Sequence, residues 1–288
     1  MATLQDLEHL LIVIAEEVPA TSLSALPSPV TSCRNYHLTP EGEERAERLW
    51  PAFAVALREA DVTVQLRASM PDTLGDVTVV EADQAGVEAV LARLDDLPPA
   101  TLVAIALGGG DADPVEESWG NALGAPGTLL LHTPWTTRDW TSDEVCDHTS
   151  LIQLCERWVA ERGGEARLWV SEWRRRVCGD LVGAVVLEED GAAADGAGGG
   201  ERPLPYSPDA DLTVDDGVVT LRLSNTGASK AVHVRVADAD GVRGVTVTPS
   251  SPIRPRTVSV PVTLTDGGYD VTVTAPGGFR RRFASVAQ

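Results

Sequence analysis

The sequence has 288 residues, of which 43% are hydrophobic and 23% are charged, which is typical of a globular protein with a sizeable core. Its formal charge is −20. Residues 1–203 carry 14 basic and 35 acidic side chains, whereas residues 204–288 carry 9 basic and 8 acidic ones. A field of that sign repels nucleic acid and anionic membranes, so we expect neither as a partner, and a cationic ligand or a basic protein remains possible.

The N-terminal region carries no secretion signal that we can identify. The apolar run Leu10–Ile14 is too short and follows acidic residues rather than basic ones. No stretch approaches the length of a membrane span. The four cysteines have neither CxxC spacing nor a dense framework: Cys33, Cys146, Cys155 and Cys178. We therefore expect reduced thiols and a cytoplasmic protein.

Apolar strands and amphipathic helices alternate in the first two thirds of the chain. In chain order, the pattern predicts a strand at Leu7–Ala15, a helix at Glu41–Ala60, a strand at Val62–Ala68, a helix at Gly86–Leu97, strands at Thr101–Gly109 and Gly127–Thr133, and a helix at Ser150–Glu161. This alternation predicts a largely parallel sheet with helices on both faces. Ligands bind beyond the carboxyl ends of such strands, here Ala15–Glu17, Leu107–Gly110 and Thr133–Trp135.

A Gly/Ala/Asp-rich stretch, residues 188–203, is typical of a flexible linker and divides the chain into domains 1–187 and 204–288. After it, apolar and polar residues alternate, and turn signals recur at intervals of about ten residues. This pattern predicts a small antiparallel β-sandwich of about seven strands. The fold class is therefore α/β followed by a β-sandwich.

The segment Trp140–Ser150 reads as a turn-forming, acidic run that leads into the last helix of the first domain. Thr149 or Ser150 can cap that helix, and Asp147 favours its positive end. His148 lies beside them and could contact the preceding turn. A structural role for Asp147 and His148 is the more economical interpretation from the residues alone.

Two stretches of the first domain resemble the bacterial phospholipase C and acid phosphatase group of phosphoesterases. They are LLLHTPWTTRDWTSDEVCDHTSLIQLCERW and VSEWRRRVCGDL. The family typically reads SEVFDHTS and then ISPWRRAVCGDL at these places. LPYSPDA, LRLSNTG and YDVTVTAPGGFRRRFA also resemble the C-terminal β-domain of bacterial phospholipases C. The resemblance covers residues 127–190 and 204–288.

The resemblance implies an alkaline-phosphatase-like core in which metal ions activate a hydroxyl nucleophile and stabilise a phosphoryl group. In the family's opening motif, ENRSFDHYFG, Glu16 keeps the glutamate and Glu17 stands at the asparagine position. In its second motif, DENDGFFDHV, Gly108 and Gly109 replace the Asp-Glu pair. The segment that supplies the family's nucleophile has no counterpart. We therefore expect no bound cofactor, and a divalent metal only if the site is rebuilt.

The residues that could form a residual or rebuilt site are Glu16, Glu17, Asp111, Asp113, Asp147 and His148, with Glu16, Asp147 and His148 as the metal ligands if any metal binds. Divalent metals require several oxygen or imidazole ligands at once. The acidic pairs alone are more typical of solvated loops and strand ends. Expected contacts between domains or with a partner are Trp135, Trp140, Arg174, Arg280 and Arg282, the last two lying on one face of a strand.

These observations leave three hypotheses for function. The first is a phospholipase C-like homologue that has lost metal-dependent hydrolysis and binds a protein partner as an accessory subunit, with an active homologue as the candidate partner. The second is an active metal-dependent phosphoesterase with a rebuilt site. The third is an interaction adaptor that works through its β-sandwich. The sequence names no ligand for any of them.

Overall fold

The structure is a computed structural model, and it has two parts that meet at residues 172–185. It describes residues 3–23, 30–36, 40–108, 126–133, 135–136, 139–165, 170, 172–185, 200–201, 204–226, 230–249, 256–265 and 267–285. Of the predicted linker, residues 188–199 and 202–203 lie outside the described residues, whereas 200–201 form a short strand.

The first part is an α/β domain built on one sheet. Its elements are β1 (His9–Pro19), β2 (Thr31–Tyr36), α1 (Pro40–Glu59), β3 (Val64–Arg67), β4 (Val77–Glu81), α2 (Gln84–Leu91), β5 (Thr101–Gly108), β6 (Pro126–His132), β7 (Trp140–Asp147), α3 (His148–Glu161), α4 (Glu172–Val177) and β8 (Gly200–Glu201). The described strands lie in the order β3-β4-β1-β5-β6-β2-β7-β8.

Of these eight described strands, β6 alone runs antiparallel to its neighbours, β5 on one side and β2 on the other. The remaining neighbours pair in parallel. The sheet is mixed, but most of its neighbouring strands are parallel, which confirms the predicted, largely parallel arrangement. Because β6 is reversed, Thr133 and Trp135 follow it at the amino edge of the parallel strands. The prediction that Thr133 and Trp135 lie at the carboxyl edge is therefore wrong.

Helices cover both faces of this sheet, as the alternation predicted. Leu10 and Ile12 of β1 point to one face and pack in the same cluster as residues of α1 and α3. Leu11 and Val13 point to the other face and pack with Val87 of α2. Strand residues that alternate between two apolar layers must be hydrophobic at nearly every position, which explains the continuous apolar run in β1.

Four described strands of the α/β domain were not predicted: β2, β4, β7 and β8. The acidic run before α3 is not a turn but the strand β7, which pairs in parallel with β2. The helix after it begins at His148 rather than Ser150. Tertiary packing overrides local turn propensity here, because Glu144 and Asp147 are buried despite their charge.

Trp158 fixes α3 to the N-terminal end of the chain. Its indole Nε1 donates a hydrogen bond to the backbone oxygen of Leu7 at 3.0 Å, and its side chain is 1% exposed. We expect Trp158→Phe to lower the free energy of unfolding by about 1–3 kcal/mol, because the buried Leu7 carbonyl loses its partner. Urea denaturation should show a lower midpoint with an unchanged slope. An unchanged midpoint would contradict this role.

The second part is a β-sandwich of seven described strands, as predicted. Its strands are β9 (Pro208–Asp215), β10 (Val218–Asn225), β11 (Val232–Asp238), β12 (Gly241–Val247), β13 (Thr257–Pro261), β14 (Tyr269–Ala275) and β15 (Phe279–Ser285). They form an antiparallel sheet β13-β10-β9 and an antiparallel sheet β12-β11-β14-β15. Alternate residues of both sheets, including Leu221, Leu223, Val234 and Val273, form one core between them.

Candidate functional site

The carboxyl end of β1 carries the first pair of candidate residues. β1 stays in register with β5 as far as the Ala15–Leu107 pair and then shifts, so that Pro19 is opposite Gly108. Within this irregular stretch Glu17 is exposed, whereas Val18 is buried in the core. The backbone of Glu16 lies in β1, but its side chain lies outside the described residues.

The next candidate residues follow β5 along the chain. Asp111 and Asp113 lie outside the described residues. Gly108, which stands where the resemblance implies an aspartate, ends β5 beside β1. It offers only backbone groups to a ligand at this edge.

Asp147 ends β7 and caps α3. Its carboxylate Oδ1 accepts hydrogen bonds from the backbone nitrogen of Thr149 at 2.8 Å and from the Thr149 hydroxyl. Its own backbone nitrogen donates to the Ser150 hydroxyl at 3.1 Å, which completes a reciprocal capping arrangement. Asp147, rather than Thr149 or Ser150, is therefore the N-cap. The Asp147 side chain is completely buried.

The other carboxylate oxygen of Asp147 forms an ion pair with the guanidinium of Arg174 in α4. Burial works against the charge on Arg174, but Asp147 and Cys178 outweigh it and raise the pKa of Arg174. The Arg174 side chain is 14% exposed. Arg174 thus contacts Asp147 inside the α/β domain, in a buried pair with both charges satisfied by each other.

His148 is buried at the first turn of α3. Its ring lies 6.1 Å from the ring of Trp50 in α1, measured between centroids. Trp50 in turn contacts Phe53 edge to face, with centroids 5.2 Å apart. His148 therefore lies among aromatic side chains of the core and is 4% exposed.

The structure separates the two halves of the predicted site. β1 and β7 both end at the carboxyl edge, but β5, β6 and β2 lie between them. Four strand spacings correspond to about 19 Å, so Glu17 and Asp147 do not converge on one small ion. Among the described residues, no three His, Cys, Asp or Glu side chains are placed to hold a metal ion.

The predicted contact residues also fall in different places. Trp135 packs against the core of the α/β domain, and Trp140 is buried at the start of β7, beside Gly200 of β8. In the sandwich, Arg282 pairs with Asp270 of the neighbouring strand through two bonds of 2.8 and 2.6 Å. Arg280 lies on the same face of β15 as Arg282.

The contact between the two domains is made by residues that the sequence interpretation did not single out. The Lys230 ammonium donates to the backbone oxygens of Arg175 at 3.0 Å and Cys178 at 3.1 Å. The backbone nitrogen of Ala231 donates to the oxygen of Arg176 at 2.7 Å. One signal could have identified Lys230: it is the only lysine in the sequence, beside 22 arginines.

A buried acid lies beside this contact. Glu144 of β7 is 6% exposed, and burial, with a smaller contribution from Asp180, raises its pKa to about 7, while Lys230 opposes the rise. Gly179 packs directly on the Glu144 carboxyl, since a Cβ at that position would lie 2.0 Å from it. A glycine is therefore required where the chain passes over Glu144.

Comparison with known proteins places the second domain. Residues 201–284 match the family described as "Bacterial phospholipase C, C-terminal domain". The chain is 39% identical over 75 residues to the non-hemolytic phospholipase C of Burkholderia pseudomallei, a match that covers 26% of this chain and 10% of that protein. It is 33% identical over 87 residues to the non-hemolytic phospholipase C of Pseudomonas aeruginosa, covering 30% of this chain and 11% of that protein.

A second Pseudomonas aeruginosa protein, a hemolytic phospholipase C, is 42% identical over 60 residues, or 21% of this chain and 8% of that protein. The matches thus span only about a tenth of the length of these relatives. No described helix is long and apolar enough to cross a membrane. Residues 201–284 are therefore similar to the C-terminal domain of the bacterial phospholipases C.

Proposed function

We propose that this chain is a phospholipase C-like protein that has lost metal-dependent hydrolysis and serves as a binding or accessory subunit. We infer an alkaline-phosphatase-like origin for the α/β domain, which its mixed sheet with helices on both faces supports. The expected partner is a protein, with an active homologue as the first candidate.

One observation carries this proposal: the carboxylate of Asp147 is fully used inside the protein. It caps α3 with one oxygen and neutralises Arg174 with the other. A metal ligand must offer its charge to the ion, and a carboxylate already paired with a buried guanidinium gains little by exchanging that partner. The distance of four strands between Asp147 and Glu17 supports the same conclusion.

The relatives favour a second candidate, because the matching proteins are named as phospholipases C. An active phosphoesterase with a rebuilt site would need Glu16 and residues outside the described part of the chain to supply its ligands. The two candidates differ in a single measurable property, which is metal-dependent turnover.

The test is hydrolysis of aryl phosphate mono- and diesters and of a phosphocholine ester, with Mg²⁺, Mn²⁺, Ca²⁺, Fe²⁺ and Zn²⁺ supplied in turn. We expect no turnover above that of a heat-inactivated sample in any metal. Turnover that requires a metal and disappears in Glu16→Gln would overturn the proposal. Glu172→Gln is the matched control, because Glu172 is 87% exposed and far along the chain from β1.

If hydrolysis is absent, the partner is sought by affinity capture with the full chain. We expect a protein that is retained in stoichiometric amount and released by salt, because the α/β domain is strongly acidic. Recovery of no stoichiometric partner would count against the accessory role and leave the loss of hydrolysis standing.

A further inference from the structure

The only lysine of the chain, Lys230, lies at the junction of its two domains. It precedes β11 in the sandwich, and its ammonium reaches the end of α4 in the α/β domain. All other basic side chains are arginines. The sequence uses arginine at the other 22 of its 23 basic positions, so Lys230 is the only side chain that brings an ammonium to this contact.

The geometry of this contact suits an ammonium. An ammonium is compact and has three donors that can point in divergent directions, whereas a guanidinium presents its donors in a flat, rigid fork. Lys230 donates to two backbone oxygens, those of Arg175 and Cys178, three residues apart. Lys230 and Asp180 both act electrostatically on the nearby carboxyl group of Glu144.

Lys230 and Ala231 donate hydrogen bonds to carbonyl groups at the C-terminal end of α4. α4 has six residues, and its last carbonyl groups have no partners within the helix. The sandwich supplies donors to two of them, the Lys230 ammonium to Arg175 and the Ala231 nitrogen to Arg176. A positive charge at a helix C-terminus is also favourable. A helix of this length is not stable alone, so its order depends on these contacts.

Apolar contacts surround the same joint. Val145 and Val177 from the α/β domain pack with Ala231 from the sandwich in one cluster, and Trp173 packs against it. The indole of Trp173 donates to the hydroxyl of Thr246 in β12 at 3.2 Å. The sandwich therefore holds α4 from its beginning to its end.

α4 also carries Arg174, the partner of Asp147. The sandwich thus contacts α4 with its own residues, while α4 contacts the carboxyl edge of the sheet with Arg174. Displacing α4 by a few ångströms would separate Arg174 from Asp147 and break this ion pair. The docking of one domain is in this way coupled to the electrostatics of the other.

We propose that Lys230 is an interdomain latch: its ammonium holds the sandwich on the carboxyl end of α4 and so keeps Arg174 on Asp147. Lys230 is a positioning residue, because it acts on the candidate site through α4. This inference concerns the coupling of the two domains, and it holds whether or not the α/β domain hydrolyses a phosphate ester.

The first test uses hydrogen–deuterium exchange on the full chain, comparing Lys230→Met and Lys230→Arg with the unaltered protein. In both variants we expect amides of residues 176–179, whose donors are bonded in the helix or to β7, to exchange at least about tenfold faster, because exchange reports local opening. Amides of β10 and β11 should be unchanged. Arg235→Met is the matched control, since Arg235 is an exposed cation on β11. Unchanged exchange in 176–179 would overturn the proposal.

A second test needs no variant. Lys230 is the only lysine that an amine-reactive reagent can modify in this sequence. Mass spectrometry of the peptide that contains residue 230 therefore reports the reaction of this one side chain. We expect native protein to react at least about tenfold more slowly at Lys230 than protein unfolded in urea, because both carbonyl bonds must open first. Equal rates in native and unfolded protein would show that Lys230 is not engaged and would overturn the latch.

Discussion

Replacing Asp147 by alanine should lower the free energy of unfolding by about 3–5 kcal/mol, the largest effect we expect of any single substitution. The change removes the N-cap of α3 and breaks the ion pair with Arg174 inside the α/β domain. Each loss is costly alone, since a missing cap contributes about 1 kcal/mol and an unpaired buried charge several more.

The measurement is urea denaturation of Asp147→Ala, Arg174→Met and the double variant. Because the two side chains interact directly, we expect the double variant to be less destabilised than the sum of the single ones. Glu172→Ala is the control: its ion pair with Arg176 is exposed, so its loss should change stability by no more than about 0.5 kcal/mol. Additive single effects would show that the buried pair is not coupled.

The stability of the protein should fall as the pH rises through about 7, and Glu144→Gln should remove that fall. The pKa of Glu144 is about 7 in the folded protein, above its ordinary value of 4.5, chiefly because the side chain is buried. The folded state therefore binds a proton that the unfolded state releases between these values. Glu144 stabilises fully below pH 4.5, and this contribution is lost as the pH rises through 7.

The size of this effect follows from the difference in pKa and amounts to about 3 kcal/mol on the alkaline side. Glutamine has the shape of the protonated acid and carries no charge, so the variant should equal the unaltered protein below pH 4.5 and exceed it in stability above pH 7. Thermal or urea unfolding across that range provides the measurement. A parallel pH dependence in both proteins would assign the effect to another group, and Glu172→Gln serves as the exposed control.

The sequence predicted the strands and helices whose hydrophobic residues recur in a regular pattern. It missed strands such as β7, whose polar residues are buried by contacts with distant parts of the chain. β1 and β5 are recognisable because both faces of the sheet are covered, which makes them apolar throughout. β7 contains Ser142, Glu144 and Asp147, residues common in turns. It is a strand because Gly179 and Arg174 from distant parts of the chain enclose its acidic side chains.

The direction of β6 had no signal in the sequence. Seventeen residues, 109–125, separate β5 from β6, enough for either a crossover or a return. The prediction of the ligand-binding edge depended on that direction, because it placed Thr133–Trp135 at the carboxyl edge. The residues that join the domains were missed for a different reason: backbone oxygens accept the bonds of Lys230, and backbone groups leave no pattern in a sequence.

The position of β2 in the sheet has a kinetic consequence. Thr31 pairs with Leu131 on one side and Trp140 on the other, both about a hundred residues later in the chain. During synthesis both edges of β2 therefore stay unpaired until β6 and β7 have been synthesised. The sandwich contains hairpins between consecutive strands, such as β9 with β10 and β14 with β15, which close quickly. We expect insertion of β2 to be the slow step in folding, so that a chain interrupted before β7 exposes a strand that pairs with other chains.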